Sequence, residues 1–247
     1  MLRRYIFFII VTICSFCSCA EKRKFSYTSE EAQEFLNSNA KERNYVCLNY
    51  GEGVWLQIYN ILGFRVSDEK WLINNIPTVA KYITVVELKN TPGLIYLFSD
   101  SKRIDLYNKE PTLVDFDLST VPKSCENLIV KDYRLKNIHS IKDLDNLKAI
   151  DFKCDLNEFV QIENENLKYI GIELCPNEIF NCEFVLKFPH LEELHIYNCS
   201  DIKNISALKN LKLKRLQISH NDIIELHRQE LNELKRGNES LRIYSID

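Results

Sequence analysis

The feature that most limits how this chain can fold is a recurring spacing. Apolar residues two positions apart recur at Ile104/Leu106, Leu128/Val130, Ile150/Phe152, Ile170/Ile172, Leu194/Ile196, Leu216/Ile218 and Leu241/Ile243. Successive pairs are separated by 24, 22, 20, 24, 22 and 25 residues. Alternation over so short a segment describes a strand with one buried face. A unit of this length cannot bury that face alone, so neighbouring units must stack into one continuous interior. The spacing therefore predicts side-by-side strands in which Ile150, Ile170, Leu194 and Leu216 are neighbours.

The better units carry more than the paired apolar residues. Leu191-Glu-Glu-Leu194-His-Ile196-Tyr-Asn-Cys199 and Leu213-Lys-Arg-Leu216-Gln-Ile218-Ser-His-Asn221 follow the pattern L-x-x-L-x-L-x-x-N/C throughout. The segments from Leu167 to Cys175 and from Leu147 to Asp155 follow it closely. Connecting stretches such as Ile138-His-Ser-Ile141-Lys-Asp-Leu144 and Ile202-Lys-Asn-Ile205-Ser-Ala-Leu208 space apolar residues by three, which suits a tight 3₁₀ turn. These residues resemble the short internalin-like leucine-rich repeats of bacteria. The resemblance implies an α/β solenoid: a leucine-rich-repeat horseshoe with a parallel sheet on its concave face and 3₁₀ or helical turns on its convex face. It spans residues 83–247, with Val86/Leu88 as a further degenerate strand. Leu113, Phe116 and Leu118 leave a second register open within 107–124.

A solenoid exposes its interior at both ends, so caps are expected. Residues 28–82 read as an N-terminal α/β cap. Thr28-Ser-Glu-Glu31 is a capping box that opens a helix through about Arg43. Val54–Tyr59 reads as a strand, and Ser67-Asp-Glu begins a second helix with Trp71, Leu72 and Ile73, kinked near Pro77. At the other end, a helix over Ile223–Arg236 precedes the last strand.

Residues 1–18 read as a secretory leader: basic Arg3-Arg4, then a twelve-residue apolar run far short of the roughly 20 needed to span a bilayer. Phe16-Cys17-Ser18-Cys19 resembles a lipobox. The resemblance implies acylation of Cys19, a tether over 19–27, and a bacterial envelope location at the outer membrane, since Ala20 replaces the retaining Asp. Cys17 is a second possible acceptor, and plain cleavage after Ala20 is the alternative. Six cysteines remain beyond the leader, so disulfides are conceivable. Cys175 and Cys199 share the ninth place of adjacent repeats, where a reduced, buried thiol is the preferred reading. Cys125 stands in for a leading Leu.

The formal charge of −3, about −5 once Arg3 and Arg4 are removed, excludes the basic footprint of a nucleic-acid binder. Six Gly and scattered His leave no phosphate-cradling loop, metal motif or catalytic constellation, so no cofactor, metal or small-molecule substrate is expected. The reading is a non-enzymatic binding module with a protein partner. A structural or self-assembling spacer, or an enzyme with its activity in residues 28–82, are the alternatives. On the concave face the candidate partner-binding residues are Tyr169, His195 and Tyr197, flanked by Glu173, Arg215 and Gln217. Tyr and Arg are the residue types enriched among interface hot spots.

Overall fold

A computed structural model describes residues 28–40, 45–50, 53–59, 66–110 and 112–246. The leader, the tether with Cys19 and the Gly51-Glu52 turn lie outside these residues. The strands are β1 Tyr45–Tyr50, β2 Gly53–Tyr59, β3 Ile83–Lys89, β4 Arg103–Tyr107, β5 Val114–Asp117, β6 Asn127–Lys131, β7 Tyr133–Lys136, β8 Ala149–Lys153, β9 Tyr169–Glu173, β10 Ile179–Asn181, β11 Glu193–Tyr197, β12 Asp201–Lys203, β13 Arg215–Ser219 and β14 Arg242–Ile246. Ten of them form one sheet in the order β1-β2-β3-β4-β6-β8-β9-β11-β13-β14, parallel throughout except where β1 meets β2. The chain is a leucine-rich-repeat solenoid.

Register shows why. Ile104, Leu128, Ile150, Ile170, Leu194 and Leu216 are Cα partners in sequence across six adjacent strands, and each is at most 1% exposed. The pair Val86/Leu88 extends the same rows by one strand, opposite Ile104 and Leu106. At about 4.8 Å per strand these side chains stack into a single unbroken column. Cys125 is buried in the leading place, as a small core residue.

The return segments are short 3₁₀ turns, including Pro92–Leu97, Ile138–Asp143, Cys182–Lys187 and Ile205–Asn210. Ile138, Ile141 and Leu144, like Ile205, Leu208 and Leu211, are buried at the three-residue spacing. Asn137 and Asn204 enter two of these turns in the left-handed region (φ 53° and 58°), which Asn tolerates better than most residues. Their amides donate to equivalent groups one repeat back, Asp117 Oδ2 at 2.9 Å and Asn181 Oδ1 at 3.0 Å. Between β8 and β9 the return is helical instead: α3 (Leu156–Phe159), opened by an Asp155/Glu158 capping box. Its Phe159 meets Phe180 and Phe188 at ring-centroid distances of 5.7 and 6.4 Å.

The caps form as anticipated in part. Thr28 and Glu31 exchange the expected capping-box bonds at 3.2 and 2.8 Å at the start of α1 (Ser29–Ala40). In α2 (Val66–Val79), Pro77 is accommodated near the end, and Trp71 stacks on Phe35 of α1 at 5.8 Å. At the C-terminus the expected single helix is two, α4 (Asn221–Leu226) and α5 (Arg228–Gly237). His227 separates them, with its Nε2 2.7 Å from Asp201 Oδ1.

Four sequence expectations need correction. The last strand pairs Leu216 with Ile243, not Leu241; Leu241 is buried two residues ahead of Ile243, at 1% exposed. Residues 114–117 form β5, a convex strand beside β7, so Phe116 and Leu118 are buried outside the main sheet and Leu113 is exposed. The turn off the strand falls at the eighth place, not the ninth: Asn90, Asp132, Asn198 and His220 all hold positive φ there. Cys175 is exposed rather than buried in its ninth place, while it and Cys199 are both free thiols, as the preferred reading had them.

Candidate functional site

Outward-facing residues of the large sheet form three rows, because alternate side chains of each strand point away from the core. The middle row runs Glu87, Asp105, Ile129, Asp151, Gly171, His195, Gln217 and Tyr244. Gly171 interrupts it, and its neighbours occupy the vacancy. A Cβ on Gly171 would lie 2.8 Å from the Asp151 carboxylate and 3.0 Å from Tyr169 Oη.

Tyr169 therefore reaches along the sheet to His195. The two rings meet edge-on at 4.8 Å, with Tyr169 Oη 3.1 Å from His195 Nδ1. Tyr197 Oη approaches the same nitrogen at 3.0 Å. Burial pushes both tyrosine hydroxyls above their ordinary pKa, so both keep their protons and either can donate to the single Nδ1 lone pair. The imidazole proton is then on Nε2, which faces Glu193 at 3.9 Å.

Burial is also the main influence on His195 and pushes its pKa below the ordinary 6.5; Glu193 and Asp151 pull weakly the other way. The unfolded chain thus binds this proton more readily than the folded one. Folding stability is retained above about pH 6.5 and falls as pH drops through the lowered value. In pH-dependent urea denaturation, the acid-side loss should be steeper for the parent protein than for His195→Gln. Equal slopes would refute the lowered pKa of His195.

Of the residues singled out in the sequence, Tyr169, His195 and Tyr197 are joined directly. Gln217 lies beside His195 in the same row, 8% exposed, with its side-chain amide against the Tyr197 hydroxyl. Arg215 makes an exposed ion pair with Glu193 at 3.3 Å. Glu173 is the strand neighbour of Tyr197 and pairs with two lysines, lying 3.7 Å from Lys131 and 3.6 Å from Lys153. Lys131 Nζ also contacts Asp151 at 2.5 Å and sits 5.8 Å from the centre of the Tyr197 ring.

Sequence reasoning missed Gly171, Asp151 and Lys131 as organisers of this surface. It also missed a depression of about 290 Å³, floored by Ile129 and Ala149 and bounded by Arg103, Asn127, Asp151 and Tyr169. The available signal was side-chain size. Gly171 and Ala149 are the small residues in rows otherwise filled by large ones. Beyond the depression, Arg103 grips Asp105 with two nitrogens at 2.9 and 3.0 Å. Among the described residues, no three His, Cys, Asp or Glu side chains are placed to hold a metal ion, and no helix is long and apolar enough to cross a membrane.

The sequence matches no family model and no curated protein. Several solved structures are similar in fold. Internalin C2 from Listeria monocytogenes str. 4b F2365 is 16% identical, with a TM-score of 0.44 over 78% of this chain and 80% of that one. A second internalin of that strain, inlF, is 16% identical, with a TM-score of 0.34 over 70% of this chain and 71% of that one. The plant peptide hormone receptor RGFR1, solved in complex with RGF2, is 14% identical, with a TM-score of 0.34 over 69% of this chain and 35% of that one. The strand register and the buried column, rather than these likenesses, establish the repeat fold.

Proposed function

We propose that this chain is a binding module that recognises a protein partner through its concave face, held at the bacterial envelope by lipid on Cys19. The observation that carries the reading is the joined Tyr169–His195–Tyr197 cluster beside the depression over Ile129 and Ala149. Rigid aromatic groups with polar tips lose little conformational freedom on binding, and a neighbouring apolar-floored recess gives a partner side chain somewhere to anchor. A plain spacer has no need of either. The tether reading is supported by the lipobox-like Phe16-Cys17-Ser18-Cys19, because two or more acyl chains hold a protein stably where one does not.

The test is crosslinking in the native cell followed by mass spectrometry, comparing the parent with a Tyr169→Ala/His195→Ala/Tyr197→Ala variant. Capture of a specific protein should fall at least about tenfold, equivalent to roughly 1.4 kcal/mol. Undiminished capture by a folded triple variant would overturn concave-face recognition. The mass of the mature N-terminal peptide tests the tether separately: acyl chains are expected on Cys19, and an unmodified N-terminus at Glu21 would refute them.

A further inference from the structure

Two small residues break the outward rows of the concave face, and the chain fills only one of the gaps. At Gly171 the Asp151 carboxylate and the Tyr169 hydroxyl lean in, 2.8 and 3.0 Å from where a Cβ would stand. Both are thereby drawn away from Ala149, which lies between Asn127 and Tyr169 in its row. With about 4.8 Å from strand to strand, the stems of Asn127 and Tyr169 leave the sheet roughly 9.6 Å apart, and only a methyl group stands between them. This gap is the depression of about 290 Å³, with Ile129 as the rest of its floor. An enclosed space of about 150 Å³ already admits benzene.

Shape and charge narrow what can enter. A flat ring standing in the gap meets Tyr169 within the roughly 4.5–7 Å at which aromatic rings pair, and it covers the apolar floor. The ionic groups at the rim are already matched, Arg103 with Asp105 and Lys131 with Asp151. A charged side chain would therefore leave water for a site whose counter-charges are taken, which is costly. Asn127 is the remaining polar group. It is partly exposed and lines the gap, and its side-chain amide takes no partner among the described residues. An amide of this kind both donates and accepts, which matches a hydroxyl. We propose that the gap over Ala149 receives a tyrosine side chain of the protein partner, with its ring against Tyr169 and Ile129 and its hydroxyl bonded to the Asn127 amide. The proposal rests on the concave-face reading above and adds the chemistry of what is recognised.

Methyl and amide NMR of the full mature chain provides the test, with N-acetyl-tyrosine amide, N-acetyl-phenylalanine amide and N-acetyl-leucine amide as probes. Blocking both ends leaves each probe uncharged. The tyrosine probe should shift the Ala149 and Ile129 methyl signals and the Asn127 side-chain amide, saturating with a dissociation constant on the order of 1–10 mM. The phenylalanine probe should shift the same methyls, leave the Asn127 amide in place and bind about threefold more weakly, the usual worth of one hydrogen bond. The leucine probe should bind at least about tenfold more weakly than the tyrosine probe. Ala149→Leu fills the gap and should weaken the tyrosine probe at least about tenfold. Asn127→Ala, at a partly exposed position, should make the two aromatic probes equal, and it keeps the test available if Ala149→Leu disturbs the fold. Equal binding of the tyrosine probe and either other probe to the parent, or no binding of any, would overturn the site. So would undiminished binding to a folded Ala149→Leu. Crosslinked capture that is lost in the triple alanine variant but persists in Ala149→Leu would overturn the tyrosine site while leaving concave-face recognition standing, so the two readings fail separately.

Discussion

Phe159→Ala should destabilise the protein by about 3–5 kcal/mol, the usual cost of removing a fully buried aromatic ring. The ring is 0% exposed and lies against Phe180 and Phe188, which are themselves fully buried. No nearby backbone is free to collapse into the space. The capping box of Asp155 and Glu158 fixes α3, and Glu178 Oε1 accepts from Leu156 N–H at 2.8 Å from the next return segment. A loss of this size is a large share of the roughly 5–15 kcal/mol that stabilises a typical folded domain.

The position adds a second consequence. Repeats in a solenoid touch mainly their neighbours, so a cavity in one repeat weakens the coupling between the units on either side. Both tryptophans, Trp55 and Trp71, precede Phe159 by more than three repeats' worth of chain, so fluorescence reports the N-terminal portion alone. Far-UV circular dichroism reports the whole. In urea, the parent should give coincident transitions, while in Phe159→Ala the dichroism transition should precede the fluorescence transition. Coincident transitions in the variant would refute the uncoupling. A total cost below about 1 kcal/mol would refute the packing itself.

The sequence made the stacking legible because leucines and isoleucines two dozen residues apart have only one common interior to share. Ile150, Ile170, Leu194 and Leu216 align as that spacing requires. The same periodicity hid the error at the end of the chain. A side-chain period of two cannot distinguish a strand from itself slid by two residues, and both registers bury Leu241 or Ile243. The pairing is settled instead by non-periodic contacts: Leu241 N–H donates to Asn238 O, and the Asn238 amide donates to Leu213 O at 2.7 Å. The convex strands β10 and β12, three residues each, are too short to show any alternation. In the binding surface, Tyr169, His195 and Tyr197 were recognisable as residue types in adjacent rows. That they share one nitrogen was not, because it depends on where Tyr169 points. Glu173 does stand beside Tyr197 in the neighbouring strand, but row position does not reveal that two lysines pair with it.

Gly171→Val should dismantle that cluster while leaving the fold standing. No positive φ occurs at Gly171, which lies within β9, so its backbone suits any residue and Val gains from its preference for strands. The conflict is with side chains. The new Cβ would fall 2.8 Å from the Asp151 carboxylate, closer than such atoms approach, and 3.0 Å from Tyr169 Oη, a contact tight enough to push the hydroxyl aside. Both must move, Asp151 away from Lys131 and Tyr169 away from His195. Overpacking of this kind costs about 1–3 kcal/mol, which the gain in strand propensity partly offsets. Two local readouts then separate rearrangement from unfolding. The His195 imidazole should titrate nearer its ordinary 6.5, because the burial that lowers its pKa depends on the tyrosine ring across its edge. Partner capture by crosslinking should fall about tenfold, as with the triple alanine variant. If His195 titrates as in the parent and capture persists, the glycine is not what positions Tyr169, and the cluster is held by something other than the gap in its row.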